Sequence, residues 1–111
     1  MRTHIAALTL TTTLTAPCSA GDLIGFDDQP ITASNTPVKG VARQSGETGM
    51  DIAVTCIGMD TVRAVGAIQA GDRLTSANPG GAAQAAADAI NVFATALSNA
   101  GDGEWLHVLI R

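Results

Sequence analysis

Aromatic residues are almost missing from this chain: two Phe, one Trp and no Tyr in 111 residues. A core without rings must be built from Ala, Val, Ile and Leu, which bury less area per side chain. Basic residues are scarce too, six Lys and Arg against ten carboxylates, for a net charge of −4. No cluster of cations is present to track phosphates, which argues against a nucleic-acid-binding surface. Cysteine is limited to Cys18 and Cys56, too few for a disulfide framework and without C-x-x-C or Cys/His metal spacing. A bridge between them stays open, but on strand parity both fall on apolar faces, where cysteine acts as a small buried hydrophobe. No run approaches the ~18 apolar residues of a membrane-spanning helix. The length sets one domain with one modest core, which self-association would complete.

A recognisable catalytic set is also missing. His4 lies in the N-terminal stretch and His107 on the outward side of the last apolar run, neither with a nucleophile or ligand partner by spacing. Asp27-Asp28 is the one adjacent pair of aspartates, and beside Pro30 it reads as a solvated loop rather than a cation site. Gly80-Gly81 belongs to no phosphate-cradling motif. The chain is expected to be no enzyme and to carry no metal or cofactor.

What the chain has is repetition. Ala-Gly-Asp occurs at Ala20-Gly21-Asp22, Ala70-Gly71-Asp72 and Ala100-Gly101-Asp102, each time before a strand-like run. Gly admits the positive φ of a tight turn and Asp bonds its own downstream backbone, so each triplet reads as a turn entering a strand. The three aspartates therefore shape turns rather than form an acid constellation. Gly40-Val41-Ala42-Arg43-Gln44-Ser45-Gly46-Glu47 leads into the apolar run Met50–Gly58, much as Val92–Leu97 leads through the third triplet to Glu104–Ile110. Residues 20–58 and 70–110 thus look like two copies of one strand–turn–strand plan. Two copies are too few for a solenoid and suit a small, internally duplicated β-barrel.

Residues 1–20 resemble a secretory signal at first sight, with Arg2 and His4, an apolar stretch, and Ala16-Pro17-Cys18-Ser19-Ala20. The stretch alternates, however. Ala6, Leu8, Leu10, Leu14 and Ala16 lie on one face, and Thr9, Thr11, Thr13 and Thr15 on the other, the pattern of a half-buried strand. The reading preferred over a cleaved signal is an extended N-terminal arm, 1–19, on a single β-barrel domain, 20–111. Leu8, Leu10, Thr12 and Leu14 are its candidate contact residues, offered to a neighbouring sheet by strand addition.

Further along, strands are expected at Leu23–Phe26, Val38–Gln44, Met50–Gly58, Thr61–Val65, Arg73–Ser76 and Glu104–Arg111, with turns at Ser45–Gly49 and Asn78–Gly81. In the last run Leu106, Val108 and Ile110 face one way, and Trp105, His107 and Arg111 the other. Propensity proposes helix over 82–99; the internal echo makes 91–97 a strand and leaves a short helix near 82–89 open.

In order and spacing these residues resemble the bacteriophage capsid cement, or head decoration, proteins. A Thr-rich apolar arm precedes Asp22-Leu23-Ile24-Gly25-Phe26-Asp27, similar to the family's F-V-G-F-D stretch. Gly40-Val41-Ala42 follows, leading into Gly46-Glu47 and the run Asp51–Ile57. Ala67-Ile68-Gln69-Ala70-Gly71-Asp72-Arg73-Leu74 matches an I-x-A-G-D-x-L step, and Ala100–Leu109 is similar to the closing A-G-D-x-[IV]-x-V-L strand. The Ala-rich 82–89 segment and Cys18 depart from the pattern. The resemblance implies a small β-barrel that binds the major capsid protein on the outside of an assembled head, as a homotrimer at three-fold positions, and reinforces the shell. It implies localisation to the virion surface, and to the host cytoplasm during assembly, with no nucleic-acid or membrane partner. The competing expectation is a secreted or periplasmic β-domain with a cleaved signal that binds a small ligand or glycan. If the arm is a detached docking element, removing residues 2–16 should abolish capsid binding and leave the barrel folded.

Overall fold

The structure, a computed structural model, describes residues 5–111; Arg2 and His4 lie outside them. Eight strands follow in order: β1 Ile5–Thr13, β2 Leu23–Gly25, β3 Val38–Ala42, β4 Asp51–Arg63, β5 Arg73–Ser76, β6 Ala82–Gln84, β7 Ala94–Ala96 and β8 Trp105–Ile110. All pair antiparallel in one sheet of order β2-β3-β4-β8-β7-β5-β6, with β1 on the other edge of β4. The sheet curls into a half-barrel, and no helix is present among the described residues.

The two expected strands Met50–Gly58 and Thr61–Val65 are one strand of 13 residues, β4. Gly58 reads in sequence as a stop, yet here it lets the strand run on. Its φ is +134°, and a Cβ there would lie 2.1 Å from the Ile5 carbonyl oxygen, so the close crossing of β1 requires glycine.

The duplication is real, and it begins one strand earlier than residue 20. At the first two Ala-Gly-Asp turns the same backbone bonds recur. Gly21 N donates to Ala42 O and Gly71 N to Ala96 O, both at 2.8 Å. The Asp22 carboxylate accepts from Ser19 N and that of Asp72 from Gln69 N, both at 2.9 Å. Leu14 N bonds Met50 O as Ala64 N bonds Glu104 O. By this equivalence β1 corresponds to the second half of β4, and the first half of β4 to β8. The first copy runs from β1 to the middle of β4, and the second from there to β8. The third triplet is a different turn, in which Asp102 accepts from Gly66 N at 2.8 Å.

The core repeats with the bonds. Leu14, Cys18, Ile24, Ala42, Ile52 and Val54 pack together in the first copy, with Cys56 against them. Their counterparts Ala64, Ile68, Leu74, Ala96, Leu106, Val108 and Ile110 belong to the larger cluster around the second. The two free cysteines therefore stand where the second copy places Ile68 and Ile110, small apolar side chains in an aliphatic core. Burial raises both thiol pKa values, with the Asp22 carboxylate adding to the rise at Cys18.

The open segment 82–89 is a strand followed by a turn. Ser76, Thr75 and Leu74 of β5 pair with Ala82, Ala83 and Gln84 of β6, and Ala85 N continues to Arg73 O. An eight-residue Ala-rich helix is marginal alone, whereas Ala82, fully buried in the larger cluster, gains sheet bonds and packing together.

The extended arm expected over 1–19 is, from Ile5 onward, part of the chain's own sheet. β1 lies along β4 from Ile5↔Met59 to Thr13↔Asp51 with bulges about Leu8, and Leu14 and Thr12 are each only 1% exposed. Removing residues 2–16 would uncover Ile52 and Val54 as well as delete Leu14. The barrel is therefore expected to unfold on truncation rather than survive it, with loss of the cooperative thermal transition in circular dichroism. Leu14→Ala alone should destabilise by about 3 kcal/mol in urea denaturation. Thr12 Oγ1 is buried without a hydrogen-bond partner, so Thr12→Val is expected to raise stability by about 1 kcal/mol in the same measurement.

Candidate assembly surface

The polar residues that invite a chemical reading are engaged in local structure. Asp28 pairs with Lys39 Nζ, and Asp27 Oδ2 accepts from Gln29 Nε2 at 2.8 Å, so both aspartates pin their own loop. Asp22, Asp72 and Asp102 hold turns, as above. No group of three or more His, Cys, Asp or Glu capable of holding a metal ion occurs among the described residues. No helix among them is long and apolar enough to cross a membrane.

What the surface presents is apolar. Phe26, just past β2, is 70% exposed, and Ile90, between β6 and β7, is 84% exposed. Both line a cavity of about 330 Å³ floored by Val38, Cys56, Val92 and Ile110. On its other side Phe26 borders a second cavity of about 340 Å³ with Pro30, Ile31, Thr36 and Pro37. The ring stands as a ridge between two hollows. Local sequence explains why it stands out. β2 ends at Gly25, Asp28 N bonds Gly25 O at 3.1 Å, and Asp28 sits at φ +64°, so Phe26 is a central residue of the reversing turn and its ring is carried outward.

Cys56 lines the first cavity and lies on β4, between the residues that pair with Leu8 and Thr9 of β1. Along β1, Ile5, Leu8 and Leu10 are exposed, as is Ile57 beside Leu8 on β4. Among the described residues β1 pairs only with β4. Its far edge is thus a row of backbone donors and acceptors open to another chain. Of the four residues expected to make contact, Leu8 and Leu10 are on this surface; Thr12 and Leu14 are in the chain's own core. Sequence reasoning missed Phe26 and Ile90. The one available signal was a large apolar residue set directly against a loop, as in Phe26-Asp27-Asp28.

The fold has a counterpart among solved structures. It is similar to the head fiber gp8.5 N base of bacteriophage phi29. The TM-score is 0.74 with 24% sequence identity, over 100% of this chain and 95% of that one. At that identity the likeness establishes the fold. No protein-family model matches the chain, and no curated protein matches it.

The exposure of Phe26 and Ile90 separates docking from folding. Phe26→Ser and Ile90→Ser are expected to leave urea-denaturation stability within about 0.5 kcal/mol of the parent. Both should reduce the binding of a hydrophobic dye to the native protein.

Proposed function

We propose that this chain is a structural, non-catalytic protein of a phage head, which decorates the outer surface of the assembled shell and stabilises it. The observation that carries this reading is the fold likeness over the whole chain to a phage head fiber base. The exposed apolar residues along β1, and Phe26 and Ile90 about their shared cavity, support it from the side of the physics. Large apolar side chains left exposed in groups mark interaction surfaces, and the net charge of −4 does not suit DNA as the partner.

The docking mechanism follows from β1. Held on β4 along one edge, it offers the other edge for strand addition, which supplies main-chain hydrogen bonds while Leu8, Leu10 and Phe26 lose water. The partner is the major capsid protein, and three copies of this chain associate around a three-fold position of the shell. Because many copies act on one particle, each contact need not be tight. The protein is made in the host cytoplasm and ends on the virion surface. The order of the resemblance motifs, from Asp22–Asp27 to Ala100–Leu109, is consistent with a cement protein.

The test is co-sedimentation of the purified protein with heads assembled from the major capsid protein of the same genome. Saturable binding at one trimer per three-fold site is expected, weakened at least about tenfold by Phe26→Ser, a loss of ~1.4 kcal/mol. Absence of binding to heads would overturn the reading and favour the secreted ligand-binding alternative.

A further inference from the structure

The two copies of the repeat differ at one pair of positions where the fold itself asks for nothing special. At the end of the β1–β4 ladder Thr13 faces Asp51, and the Thr13 hydroxyl donates to Asp51 Oδ1 at 2.6 Å. At the equivalent end of the β4–β8 ladder stand Arg63 and Trp105. There the guanidinium lies 4.1 Å from the indole centroid, a cation–π contact, and Arg63 Nη1 donates to Gly103 O at 2.7 Å. A Thr–Asp pair closes one ladder, so closing the other does not require Arg and Trp.

The exchange coincides with a cavity. Trp105, the only Trp of a chain with no Tyr, keeps 43% of its surface exposed and lines a hollow of about 490 Å³ together with Arg63, Ser19, Asp22, Thr32 and Gly81. This lies within the usual size of small-ligand sites. Gly21 packs under the indole, where a Cβ would come within 2.7 Å of the ring. The cavity shares no lining residue with the one between Phe26 and Ile90.

We propose that this cavity binds a neutral sugar ring of a glycan. A pyranose has an apolar C–H face and a rim of vicinal hydroxyls, and the cavity supplies a matching surface for each. The indole covers the apolar face. The Arg63 guanidinium donates to hydroxyl oxygens, the Asp22 carboxylate accepts from hydroxyl hydrogens, and the Ser19 and Thr32 hydroxyls do both. One cation beside one carboxylate in an acidic protein disfavours a polyanion. The proposal rests on this geometry and does not depend on the capsid reading.

Trp105 emission reports on this cavity alone, which makes the test direct. The full chain is titrated with glucose, galactose, mannose, N-acetylglucosamine and oligomers of each. At least one is expected to give a saturable change in emission and to protect Trp105 from acrylamide quenching. Asp22→Asn keeps an acceptor for the Ser19 turn but loses the charge, and should weaken that binding at least about tenfold. Arg63→Thr combined with Trp105→Asp installs the pair of the first copy, and should fold with an unchanged thermal transition while calorimetry finds no sugar binding. The proposal is overturned if no sugar gives a saturable change, if the double variant folds and still binds, or if only a proline-rich peptide perturbs Trp105.

Discussion

The molecule depends on one strand passing unbroken from one half of the chain into the other. β4 ends the first copy of the repeat and begins the second, so whatever interrupts it separates the two halves. Its far partners sit on opposite edges, β1 on one and both β3 and β8 on the other. The crossing at Gly58 is the tightest point, because the Ile5 carbonyl occupies the space any side chain would need. An aliphatic core follows from the same plan. Equivalent positions repeat as Ile24 and Leu74, Ile52 and Leu106, or Val54 and Val108, and among the described residues the one ring buried with them is Phe93, in the larger cluster.

Much of this was legible in the residues. The limits of β5, Arg73–Ser76, and the alternation of Leu106, Val108 and Ile110 follow from local pattern, and the first two Ala-Gly-Asp triplets announce the duplication, whereas the third is a different turn. What pattern could not supply was long-range. Gly58 looks like an end because glycine usually interrupts a strand, and only the approach of β1 reveals why it continues one. The alternation of β1 correctly announces a strand, but alternation does not name the partner, which turned out to be β4 of the same chain. The Ala-rich 82–89 segment was ambiguous because helix propensity is a weak prior once a sheet edge lies nearby. In the candidate contact surface the alternation of β1 pointed to Leu8, Leu10, Thr12 and Leu14, of which the last two are buried in the chain's own core. Phe26 and Ile90 needed the turn geometry to be seen as exposed.

Two surfaces emerge with different chemistry. The exposed residues of β1 and the Phe26–Ile90 cavity are apolar, and β1 adds an edge of open backbone, which suits a protein partner. The Arg63–Trp105 hollow is small, mixed in polarity and walled by turns, which suits a small polar ligand. Both lie where the short strands end and loops take over, the places a rigid sheet holds for variable function.

The turns at Asp22 and Asp72 have one more consequence. They share backbone bonds, glycine geometry and carboxylate cap, yet one borders the Arg63–Trp105 hollow and the other does not. Each molecule thus carries its own replica of the same device in plain surroundings. Evolution could alter chemistry beside one turn while its twin kept the architecture safe, so novelty and scaffold here are written in separate stretches of the genetic text.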